Sequence, residues 1–135
     1  MVLICASAFA HASGPDSKTL SSSYEDALLH AINLYRVDKG LSPLSPDTTL
    51  YTLAKNHSRY MTQKNALSHD YFQERFNQCR RSHCVENTGW NYASPEAQMV
   101  AWKSSVGHNA NLLSTKIKNA GIAKVGSFVT FFACD

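Results

Sequence analysis

Three short islands in the second half of the chain hold its most reactive side chains. They are Leu67-Ser68-His69-Asp70, Cys84-Val85-Glu86-Asn87, and the run from Trp102 through Ser105 and His108 to Asn111. Each island sets one titratable, metal-capable group (His69, Glu86 or His108) among small or turn-forming residues. The three groups lie 17 and 22 residues apart, so only a tertiary fold can bring them together. Two imidazoles and a carboxylate with one open position make a catalytic-type ligand set for zinc or another divalent cation. The spacing is not that of a local His-Glu-x-x-His helix, so any such site depends wholly on the fold.

The same residues support other chemistry. His69 or His108 could move protons, with Glu86 fixing an imidazole tautomer. Ser68, Ser104 and Ser105 stand near the histidines, but no Gly-x-Ser-x-Gly elbow is present to activate one of them. Trp90, Tyr92, Tyr71, Phe72 and Trp102 flank the islands and could line a cleft for a lipid, a glycan or a peptide. Core packing is the competing role, most strongly for Trp102 and Phe72. In the plainest reading His69 and His108 cap turns and Glu86 bonds backbone N–H groups.

The elements that must position these islands follow from periodicity. Leu28, Ala31, Ile32 and Tyr35 form one stripe of a helix over 24–39, with Gly40 as its terminator. Ser45-Pro46-Asp47 reads as the cap and first turn of a second helix running to about Gln63. Its Leu50, Leu53, Ala54, His57 and Met61 share a face, which makes His57 a packed histidine rather than a ligand. Residues 71–76 suggest a helical turn with Phe72 and Phe76 inward, and 78–83 a polar loop. Residues 85–92 suggest an extended segment. Ser94-Pro95-Glu96 repeats the capping signature for a helix ending near Ser104, followed by a turn at Val106-Gly107 and one further helical turn over 109–113. Residues 121–125 and 127–133 read as a hairpin. Its last strand is apolar on both faces, so it is expected at the centre of a sheet covered on both sides. Antiparallel strands between helices give an α+β protein, a three-layer α-β-α sandwich with a small antiparallel sheet.

The 135 residues suit one domain, and 44% hydrophobic with 17% charged residues argues against disorder. A net charge of +3 without a Lys/Arg block gives no nucleic-acid footprint. Residues 1–12 resemble part of a signal peptide, with Ala10-His11-Ala12 as a cleavage-type site, and 13–23 read as a Ser-rich flexible leader before a domain over 24–135. No segment reads as a transmembrane anchor. A secreted or periplasmic monomer is expected. Removing Cys5 with the signal leaves Cys79, Cys84 and Cys134, hence one bridge and one thiol. Cys84–Cys134 would tie the last strand to the Glu86 segment; Cys79–Cys84 is the local alternative.

In this order the islands resemble the CAP superfamily, the SCP-like domain of cysteine-rich secretory, antigen-five and pathogenesis-related proteins, and are most similar to its compact bacterial branch. The likeness rests on Ala31 to Arg36 with Gly40 to Leu44, on Leu50 to Met61, on the three islands, and on Ala120 to Ala123 with Phe128 to Thr130. It implies an α-β-α sandwich whose cleft typically holds two His and two acids. His69, Glu86 and His108 match three of the four, and Ser105 stands where the second acid belongs. The resemblance implies a ligand cleft of His69, Glu86, His108, Ser105 and Asn87, with a divalent cation on His69, His108 and Glu86. It implies binding, with lipid among the ligands, more than catalysis; the alternatives are hydrolysis of peptides or envelope material through the same three residues, and a structural or interaction domain without a functional metal site.

Overall fold

The computed structural model describes residues 22–135. Five helices and four strands follow one another as α1 (Tyr24–Asp38), β1 (Ser45–Pro46), α2 (Thr48–Lys64), α3 (Phe72–Cys79), β2 (Cys84–Trp90), α4 (Pro95–Lys103), α5 (Val106–Leu112), β3 (Asn119–Val125) and β4 (Phe128–Cys134). The signal-like segment and all but the last two residues of the expected leader lie outside the described residues.

The sheet runs β1-β3-β4-β2. The β3–β4 hairpin and the β2–β4 ladder are antiparallel. Two-residue β1 adds a parallel pair on β3, so the sheet is mixed rather than purely antiparallel. Every residue of β4 is buried, as expected for a central strand apolar on both faces. Val129, Phe131 and Ala133 pack with Leu28, Ile32, Met99, Trp102 and Leu112 of α1, α4 and α5. Phe132 and Cys134 pack on the opposite face with Leu50, Leu53 and Ala54 of α2 and Cys79 of α3. These two cores define the three layers. Each fully buried Leu, Ile or Phe in them contributes about 1.5–3 kcal/mol.

Capping chemistry sets most helix bounds. Ser94 Oγ accepts from Ala97 N and Pro95 opens α4, as the sequence indicates. Gly40 follows α1 with φ +77°, the left-handed turn for which glycine is suited. The start of α2 differs from expectation. Ser45 and Pro46 are strand, with Ser45 N donating to Lys118 O, and Asp47 is the cap, its carboxylate accepting from Leu50 N at 2.9 Å. An Asp two residues after the Ser offers an equally good cap and frees Ser45-Pro46 to pair with β3. Two further corrections concern the helices around the islands. Val106-Gly107 belongs to α5 and is not a turn. In α3 the inward residues are Arg75 and Cys79, four apart, while Phe72 and Phe76 are only half-buried.

Candidate functional site

Strand β2 is the edge strand beside β4, so its free side is open to both helical layers. Successive side chains alternate between faces. Glu86 reaches the α2–α3 layer and Asn87 the α4–α5 layer, and each organises one histidine.

On the first face Glu86 is buried, its side chain 1% exposed. Arg75 grips it with two parallel hydrogen bonds, Nε to Oε2 at 2.8 Å and Nη2 to Oε1 at 2.7 Å. His69 Nδ1 lies 2.9 Å from the same Oε1. Arg75 Nη1 also donates to Asp70 O, which fixes the loop carrying His69. Burial pushes the Glu86 carboxyl up, but hydrogen bonds from His69 and Arg75 and the Arg75 charge outweigh it and hold the pKa below the usual carboxylate range. Glu86 is therefore ionised, an acceptor for the His69 Nδ1–H. In the neutral ring that tautomer makes Nε2 the acceptor nitrogen, on a side chain 53% exposed.

His57 stands behind this pair. It is buried, as its place on the apolar face of α2 indicates, with Nε2 2.7 Å from Ser68 O and 3.7 Å from Glu86 Oε1. Burial lowers its pKa against the opposing charge of Glu86, which keeps it neutral near pH 7. Its Nε2–H then donates to Ser68 O, pinning the backbone one residue before His69, and its Nδ1 has no partner in the structure.

On the second face Asn87 is fully buried. Its Nδ2 donates to His108 O at 3.0 Å, and its Oδ1 accepts from Asn111 Nδ2 at 2.9 Å. Asn111 also donates to Glu86 O, so α5 is stitched to β2 at two consecutive residues. His108, on α5, is half-buried, and its pKa is lowered chiefly by burial, with the nearby His69 ring acting in the same direction. Ser105 caps α5 by position, one turn before His108, and its side chain makes no capping bond.

The fold thus joins His69 and Glu86 directly and ties Asn87 to His108. Arg75, His57 and Asn111 complete the arrangement and went unnoticed in sequence as functional. Arg75 left a signal: with Cys79 it makes the i, i+4 pair of a short helix, and a buried Arg needs acceptors, here the Glu86 carboxylate and Asp70 O. Trp102 is core, its Nε1 donating to Thr88 O, while Trp90 is half-exposed on the edge strand.

The donor set fits a divalent cation only in part. Both Glu86 oxygens are engaged, by Arg75 and by His69, so Glu86 does not serve as a third ligand in this arrangement. Its bond to His69 Nδ1 instead matches the supporting carboxylate that commonly orients a metal-binding imidazole. His69 and His108 are the two imidazoles that would hold an ion, and the ion would supply a Lewis-acidic contact to a bound ligand. Among the described residues, the only three His, Cys, Asp or Glu side chains with ligand atoms within 4.8 Å of one another are Cys79, Cys84 and Cys134.

With this geometry established, comparison with known proteins decides the family. The profile of the cysteine-rich secretory protein family, CAP, matches residues 29–135. The chain belongs to the CAP family. Among curated relatives it is 29% identical over 113 residues to the uncharacterised protein YkwD of Bacillus subtilis, covering 78% of this chain and 44% of that one. It is 27% identical over 114 residues to the uncharacterised membrane protein YlbC of the same organism, covering 78% and 32%. The chain therefore spans less than half the length of these relatives. Among solved structures, an extracellular SCP-domain protein of Bacillus anthracis superposes with a TM-score of 0.79 at 22% identity, over 93% of this chain and 45% of that one. An outer surface protein of Borrelia burgdorferi gives 0.75 at 18% identity, over 81% and 90%. These likenesses bear out the CAP-type α+β sandwich. The Cys84–Cys134 bridge is formed across the β2–β4 ladder, where the two residues are direct partners, and Cys79 is a buried thiol.

Proposed function

We propose that this CAP domain is an exported binding module whose cleft, between His69 and His108, takes a divalent cation and a small polar ligand. The supporting observation is the 2.9 Å bond from His69 Nδ1 to a carboxylate that Arg75 holds in place. It fixes one ring nitrogen inside and presents the other to solvent. The signal-like start and Cys84–Cys134 bridge favour export. So do the extracellular and outer-surface proteins among the structural relatives. No described helix is long and apolar enough to cross a membrane. A cavity of about 550 Å³ between α1, α2 and β3 includes none of the cleft residues, so a lipid held there would lie outside the histidine cleft. Calorimetric titration with zinc tests the reading. One site is expected in the wild type and none in a His69→Ala, His108→Ala double variant; equal binding in both would refute the cation part.

Hydrolysis is the second reading, favoured by the same dyad, because a carboxylate-fixed imidazole with a free Nε2 is half of an acid–base unit. It requires turnover of a peptide or peptidoglycan substrate that His69→Gln abolishes.

A further inference from the structure

Three sulfurs meet where α3 ends against the β2–β4 ladder. Cys84 and Cys134 face each other across the strands, and Cys79 is the last residue of α3. Cys79 Sγ lies 3.5 Å from Cys84 Sγ and 3.8 Å from Cys134 Sγ. A zinc–thiolate bond of ~2.3 Å places sulfurs that share one tetrahedral zinc about 3.8 Å apart. Two edges of the sulfur triangle thus already have the span that a shared ion requires. The third edge is the disulfide and opens when that bond is cleaved.

We propose that reduction converts this corner into a three-thiolate site for a soft cation such as zinc, separate from the histidine cleft. A dithiol reductant delivers two electrons and two protons to the Cys84–Cys134 bond and is itself oxidised to a disulfide. Cys79, Cys84 and Cys134 then bind the cation as thiolates and release three protons to solvent. Thiolate donors select zinc and monovalent copper over magnesium or calcium. Leu50, Leu53, Ala54 and Phe132 pack around the sulfurs and hold the three elements together. The oxidised domain carries a structural bridge and a spare thiol; the reduced domain carries an ion in their place.

Cobalt is the probe, because thiolate-to-cobalt charge-transfer bands in the near ultraviolet report sulfur ligands and imidazole ligands do not produce them. The full chain is reduced with dithiothreitol, freed of reductant without oxygen and titrated with cobalt, with far-ultraviolet circular dichroism recorded throughout. One equivalent with strong thiolate bands is expected. These bands should be absent before reduction and unchanged in the His69→Ala, His108→Ala variant. Cys79→Ser should weaken binding by more than ~10-fold, the least that loss of even a supporting contact costs a metal site. The proposal is overturned if the reduced wild type shows no thiolate band, if Cys79→Ser binds as tightly, or if the reduced chain has lost its helical signal before metal is added.

Discussion

Arg75 of α3 and Glu86 of β2 form a fork-to-fork pair, two bonds of 2.8 and 2.7 Å on a carboxylate that is 1% exposed. This pair decides what the cleft is. It removes Glu86 from the pool of free ligands and makes it the fixed wall against which His69 is oriented.

Breaking the pair from either side strands a buried charge. Arg75→Met is expected to lower stability by about 3–5 kcal/mol, as removal of one partner from a buried ion pair does. The double variant Arg75→Met, Glu86→Leu should be more stable than Arg75→Met alone, because no unpaired charge remains. Urea unfolding of the two variants checks the order; the reverse order would show that Glu86 is solvated in the absence of Arg75.

Stability should fall on acidification in two stages. His57 and His108 are held below their ordinary 6.5 by burial, so below pH ~6.5 the unfolded chain takes up protons that the folded chain refuses. That contribution is complete above 6.5 and is lost as pH falls through the lowered values. Glu86 is held below its ordinary 4.5, so its contribution is complete above 4.5 and is lost at lower pH still. Urea midpoints from pH 8 to 3 should show both limbs, and His57→Gln should make the upper limb shallower.

Gly121 is a packing requirement rather than a hinge. A Cβ there would fall inside the backbone of Leu50 and Tyr51, where α2 crosses β3. Backbone has no side-chain rotamer with which to yield, so Gly121→Ala is expected to cost about 3 kcal/mol or more, at the upper end for overpacking. Gly107→Ala, with open space around its Cβ, should be tolerated. Thermal melts of the two variants make the comparison.

Local chemistry carried much of the architecture. The Ser94-Pro95 cap, the α1 stripe and doubly apolar β4 each appear in the fold as their residues dictate, because each signal lies within one element. Ser45-Pro46 misled because capping and strand pairing compete for the same residues, and the pairing partner Asn119-Ala120 is remote in sequence. His69, Glu86 and His108 were visible as residue types in resemblance-bearing islands. The role of Glu86 was not, since it depends on Arg75 eleven residues away on a separate helix. His57 and Asn111 act through backbone carbonyls at Ser68 and Glu86, contacts that leave no pattern in composition or period.

The most direct test of the cleft is the protonation of the His69 ring, observed by long-range proton–nitrogen correlation spectra of ¹⁵N-labelled protein near pH 7.5. The Glu86–Arg75 arrangement predicts that the neutral ring carries its proton on Nδ1 rather than Nε2, and that both the His69 and His108 ring nitrogens shift as one equivalent of zinc is added. A neutral ring with its proton on Nε2, or spectra in which zinc moves neither ring, would contradict it.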